Sequence, residues 1–138
     1  MRDYQQLKIQ KFENWSLFLH ENQYYLGRSY LWAHREEDFD IFEMNSKEKD
    51  EFFDIGKKVK RAILECFNPD RFNYANLQNE ANHLHLHIIP RYKTQRLFDG
   101  LLFSDENYGK NYAPYDKNFK VNDGILFKIR DEIKSKLR

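Results

Sequence analysis

The segment His83-Leu84-His85-Leu86-His87-Ile88-Ile89-Pro90-Arg91 restricts this chain more than any other. Apolar and polar residues alternate along it with period two. That is the repeat of a half-buried strand, because successive side chains of a strand point to opposite faces. Leu84, Leu86 and Ile88 then face a core, while His83, His85 and His87 line the other face, roughly 7 Å from one to the next. Three of the five histidines are thereby brought into one row.

The chemistry of such a row allows three readings. It is a polar strand face whose histidines have no further task. Alternatively, two histidines at i and i+2 hold a zinc ion with a third ligand from His20 or a carboxylate, although nothing nearby completes a familiar ligand set. Or the row is a nucleophilic site. Imidazole titrates at about pH 6.5, so a neutral ring is available to attack near neutrality. A neighbouring ring can donate to a phosphate oxygen or serve the leaving group, and a strand holds such groups more rigidly than a loop.

Around this row the pattern predicts a single α+β domain over 1–138, with an antiparallel sheet of about five strands and two main helices. Trp15 to Leu19 and Ser29 to Ala33 read as strands, with Glu21-Asn22-Gln23 as the turn between them and Gly27 as a bulge or a close backbone approach. Ser46 to Phe67 reads as a helix capped by Ser46. Phe52, Ile55, Val59, Ile63 and Cys66 form its buried stripe, and Asn68-Pro69 is its stop. Phe72 to Leu77 and His83 to Ile89 read as two further strands joined by a turn at Glu80-Ala81-Asn82. The stretch 91–120 carries few regular signals, and a second amphipathic helix is expected over about 122–137.

Composition bounds what such a domain does. Lys and Arg total 23 against 22 Asp and Glu, so no basic excess marks a partner for long nucleic acid. A small anionic substrate needs only a local field. One cysteine, Cys66, excludes a disulfide within the chain and favours a reducing compartment. No apolar run approaches the ~20 residues of a membrane span, and the first residues lack the apolar core of a secretory signal. The expectation is a cytoplasmic protein with no membrane partner. Cys66 reads as buried core and His34 as a solvated strand end. Trp15, Phe18 and Trp32 are either a base-stacking wall or core. The segment Tyr108 to Tyr115 either covers the site or packs on the sheet.

The triad with its two closing apolar positions resembles the signature of the histidine-triad (HIT) family. Asn73-Tyr74-Ala75, Asn79, Pro90-Arg91 and the stretch Asp105 to Tyr115 are similar to bacterial HIT proteins described as diadenosine tetraphosphate hydrolases, and His20 followed by Gly27 to Trp32 resembles the family's His, turn and central strand. The approach Gln78 to Asn82 departs from the family's pattern in having no glycine. The resemblance implies a hydrolase acting at the α-phosphate of a nucleotide or dinucleoside polyphosphate through a covalent nucleotidyl-histidine. It implies His85 as nucleophile, His83 orienting that ring through its backbone carbonyl, and His87 binding phosphate and assisting the leaving group. Asn79, His20 and Asn73 would bind substrate. No cofactor is required, although a divalent cation such as Mg²⁺ can accompany the phosphates, and a homodimer is implied. A nucleotidyltransferase or phosphorylase shares the first step. A nucleotide-binding module with little turnover and a zinc-binding domain are the readings outside that chemistry.

Overall fold

Helix α1 spans Ser46–Phe67, but its N-cap is Asn45 rather than Ser46. The reason is the spacing to Glu48. Asn45 Oδ1 accepts from the Glu48 amide at 2.8 Å, and Glu48 Oε1 accepts from the Asn45 amide at 2.9 Å, a reciprocal pair that closes only over three residues. Asn68 ends the helix in the left-handed region (φ 49°), with Pro69 behind it. Phe52, Ile55, Val59, Ala62, Ile63 and Phe67 form the buried face.

That face covers one side of a five-stranded sheet. The structure, a computed structural model, describes residues 2–138. Its strands are β1 (Lys8–Lys11), β2 (Trp15–Leu19), β3 (Ser29–Ala33), β4 (Arg71–Ala75) and β5 (His85–Arg91), in the order β1-β2-β3-β5-β4 with every neighbour antiparallel. Helix α2 (Asp123–Lys136), capped by Asn122, buries Leu126, Ile129 and Ile133 in the same core. The architecture is thus α+β, with a five-stranded antiparallel sheet and two main helices. No described helix is long and apolar enough to cross a membrane.

Several local expectations are corrected. Strand β1 was not expected, since Ile9 is its one apolar residue; pairing with β2 and packing of α2 make it a strand. Strand β4 ends at Ala75 rather than Leu77, and β5 begins at His85 rather than His83. Between them Gln78 takes φ 52° and donates its amide to the Phe39 carbonyl, drawing the chain away from the sheet. The stretch 91–120 contains a hairpin, β6 (Arg96–Phe98) and β7 (Leu101–Phe103). Its turn is Asp99-Gly100 at φ 50° and 81°, the left-handed pair that a two-residue hairpin needs.

The link from β2 to β3 is a nine-residue loop organised by buried Gln23 rather than a tight turn at Glu21-Asn22-Gln23. The Gln23 amide donates to the carbonyls of His20 and Arg28, and its oxygen accepts from the Gly27 amide. Gly27 has φ 87°, and a Cβ there would lie 3.2 Å from the Phe67 ring, so both backbone and packing require glycine. His34 is not simply solvated. Its ring nitrogens contact Ser16 Oγ and the Glu13 carbonyl at 2.8 and 2.9 Å. Cys66 is half-buried between the helices, its thiol 3.4 Å from the Glu132 carbonyl and pushed up to about 12 by burial.

Candidate active site

The register of the central strands decides which side chains meet. Trp32 lies opposite His85, and Tyr30 opposite both His87 and Phe18. Ala75 lies opposite His87 on the other side. With period two, His85 and His87 therefore share a face with Tyr30, Trp32 and Phe18. Leu31, Leu84 and Ile88 point into the core on the opposite face. The histidine face opens into a cleft of about 580 Å³, lined by His20, Arg28, Trp32, Asn79, His85 and His87 among others.

Hydrogen bonding fixes the tautomers around this cleft. His85 Nδ1 lies 2.7 Å from the carbonyl of His83. A carbonyl only accepts, so Nδ1 carries the proton and the neutral ring keeps its lone pair on Nε2. The backbone that presents His85 is itself held, since the Asn76 amide donates to the His85 carbonyl at 2.8 Å. His20 shows the opposite tautomer. Its Nδ1 accepts from the Asn22 amide at 3.0 Å, which leaves Nε2 as a donor. His87 Nδ1 faces Arg28 Nη2 in a long contact of 3.5 Å, and a guanidinium only donates, so here too Nε2 is left as the donor. One lone pair and two ring N–H groups are thus gathered together, with the rings of His85 and His87 centred 4.9 Å apart and those of His20 and His87 5.7 Å apart.

Electrostatics keep the two donors uncharged near neutrality. Burial holds His20 down to about 3, with the charge of Arg28 adding to the effect. Burial likewise brings His87 down to about 4, with Arg28 again second.

The remaining residues divide. His83 stacks on Trp32 with ring centres 4.2 Å apart, and its Nε2 donates to the Ala33 carbonyl, so its ring is committed to the scaffold and does not line the cleft. Asn79 lines the cleft, exposed at its mouth. Asn73 does not line it. Its oxygen accepts from Arg91 Nη1 at 2.7 Å, on the same sheet face but beyond the histidines. Of the aromatic candidates only Trp32 lines the cleft. Trp15 is core, with its indole N–H bound to the Glu48 carbonyl, and Phe18 stacks under Tyr30. Tyr112 and Tyr115 close one side of the cleft.

Sequence reasoning assigned no part to Arg28 or Asn76. The signal for Arg28 was available. It precedes Tyr30 and Trp32 by two and four residues, the spacing that puts it on the histidine face. Asn76 carries no sequence signal, because it acts on a backbone carbonyl nine residues away. Among the described residues, no group of three His, Cys, Asp or Glu side chains is arranged to hold a metal ion.

Known proteins share the fold that carries this cleft. The family model described as the HIT domain matches residues 5–94. Among solved structures, a histidine triad protein from Sinorhizobium meliloti 1021 is 15% identical over 95% of this chain and 89% of its own, with a TM-score of 0.79. One from Bradyrhizobium japonicum is 16% identical over 95% and 90%, with a TM-score of 0.78. A HIT family protein from Bacillus anthracis is 31% identical over 62% of this chain and 63% of its own, with a TM-score of 0.54. No curated protein sequence matches the chain.

Proposed function

The chain belongs to the HIT domain family, and from that premise we propose that it is a hydrolase that cleaves a nucleotide or dinucleoside polyphosphate at the α-phosphate through a nucleotidyl group carried on His85. The observation that carries this reading is the 2.7 Å bond from His85 Nδ1 to the His83 carbonyl, which leaves Nε2 as an oriented nucleophile beside two ring donors.

In the first step Nε2 attacks the α-phosphorus. A P–N bond forms, the P–O bond to the rest of the phosphate chain breaks, and the departing oxygen is met by the Nε2–H of His87. His20 donates to a non-bridging oxygen, and Asn79 at the mouth supplies an amide to the phosphates. Such donors act on charge that grows during the displacement, which is where they accelerate it. In the second step water attacks the same phosphorus and gives up a proton to solvent, and the P–N bond breaks, returning its electron pair to His85 Nε2 and releasing the nucleoside monophosphate. A divalent cation such as Mg²⁺ would enter with the phosphates rather than on protein ligands. Strand β4 is a sheet edge with Tyr74 exposed beside it, and supports a homodimer built by edge pairing.

The test is turnover of diadenosine tetraphosphate and of simpler adenylyl compounds by His85→Ala. The expected loss is at least about a thousandfold in kcat with the fold intact. Turnover close to wild type would remove His85 as the nucleophile.

A further inference from the structure

Among the described residues, Arg28 is a buried cation without a counter-charge. Only 4% of its surface is exposed. Its Nε and Nη1 are covered and, among the described residues, have no hydrogen-bond partner, and Nη2 has only the long contact to His87. A guanidinium cannot shed its proton in a protein, so this charge persists. Buried charges are ordinarily paired, because an unpaired one forfeits its hydration for nothing. Arg28 is instead stacked among the rings of Tyr112 and Tyr115, 5.0 to 5.6 Å from their centres, which hold a flat cation without satisfying its N–H groups.

The carboxylates of the cleft do not fill the gap. Glu21 lines it, but is engaged by Tyr4 and Arg2. Glu80 is exposed at the mouth. The fold does know how to satisfy a buried arginine. Arg91, 2% exposed, spends Nε and Nη2 on Asp105 and Nη1 on Asn73 and the Lys110 carbonyl. The incomplete set at Arg28 lies on a cleft wall, at the His87 end and away from Trp32 and His83.

We propose that Arg28 is the receptor for the phosphates beyond the one attacked, so that the site selects substrates whose leaving group is itself a phosphate chain. This rests on the reading of the site as one that attacks an α-phosphate through His85. The chain enters past His87, displaces the covering tyrosine rings, and accepts from the free edge of the guanidinium, the planar fork that matches phosphate oxygens. The charge that leaves with the phosphate chain is thereby met at the end of the cleft from which it departs.

The experiment has two arms. The first compares kcat/KM of wild type and Arg28→Gln on diadenosine tetraphosphate and on adenosine 5′-phosphoramidate, which shares the attacked phosphate but loses an amine. The expected result is a fall of about a hundredfold on the tetraphosphate and a fall at least about tenfold smaller on the phosphoramidate, since the lost contact to His87 is common to both substrates. Arg28→Lys should recover only a small part, because a point charge does not reproduce the fork. Equal losses on both substrates, or none on either, would overturn the assignment. The second arm needs no turnover. Inorganic tripolyphosphate is titrated calorimetrically into wild type and Arg28→Gln, both checked for cooperative unfolding. Binding by wild type that is lost in the variant supports the receptor; equal binding, or none by wild type, refutes it. Failure of the His85 chemistry would be seen separately, as an absence of wild-type turnover on both nucleotides beside intact tripolyphosphate binding.

Discussion

Arg91 and Arg28 are two nearly equally buried cations on the histidine side of one sheet, and they differ in what surrounds them. Around Arg91 the chain supplies a carboxylate, an amide oxygen and a backbone carbonyl. That set ties β5 to the segment after β7 and fixes the far end of the sheet face. Around Arg28 it supplies two aromatic rings and one histidine nitrogen at the limit of contact. The same residue type is structural where its hydrogen bonds are complete and poised for a ligand where they are not. The contrast also explains the histidines. Arg91 is neutralised by Asp105, whereas the open charge of Arg28 adds to burial in keeping His20 and His87 unprotonated.

The largest effect on stability should come from the completed site. Arg91→Met leaves Asp105 buried without its counter-charge, held only by the amides of Tyr92 and Asn107, and is expected to lose about 3–5 kcal/mol, read from urea unfolding. A variant as stable as wild type would mean the pair is ornamental. Arg28→Met is the counterpart. Removing an unpaired buried charge should leave the unfolding midpoint unchanged or raise it by about 1 kcal/mol equivalent. A loss comparable to that of Arg91→Met would make Arg28 structural and erase the contrast.

The histidines give a pH dependence of known sign. Folded His20 and His87 titrate at about 3 and about 4, while unfolded imidazole titrates at about 6.5. The unfolded chain therefore takes up protons first as pH falls. Their contribution to stability is complete above pH ~6.5 and is lost as pH drops from there towards ~3. Chemical denaturation across that window should show the decline, and His20→Asn should flatten part of it; an unchanged slope would contradict the assigned burial. Arg28→Met should also let His87 titrate higher, seen by NMR, because one of the causes holding it down is gone. The smallest change expected is at Asn76→Ala, which frees the His85 carbonyl. A loss of about 1 kcal/mol and a severalfold fall in turnover are anticipated, and wild-type turnover would show that β5 needs no such tether.

The sequence made some parts of this molecule readable and hid others for physical reasons. The triad was legible because its period is set by the strand itself. Helices α1 and α2 were legible because one face of each is buried in the core. Strand β1 was hidden because most of its side chains are polar and its pairing partner makes it a strand. The hairpin at Asp99-Gly100 carries only a local turn signal, because its strands of three residues each are too short to show a period. Asn73 shows a different limit. The resemblance to HIT proteins implies a substrate contact for it, yet the register places it beside Ile89, where Arg91 takes its oxygen. For His83 the spacing correctly joined it to the row, but spacing does not show that Trp32 and a carbonyl already hold its ring. Arg28 was missed for a related reason: an unsatisfied charge is defined by what is absent around it, and that is visible only in three dimensions.

The covalent mechanism is tested at its centre by catching the intermediate. Wild-type protein mixed with diadenosine tetraphosphate, quenched within its first turnovers and mapped by mass spectrometry, should carry one nucleotidyl group on His85. His85→Ala should carry none. Turnover at full rate with no modified protein at any time, or with the group on a different residue, would contradict the mechanism.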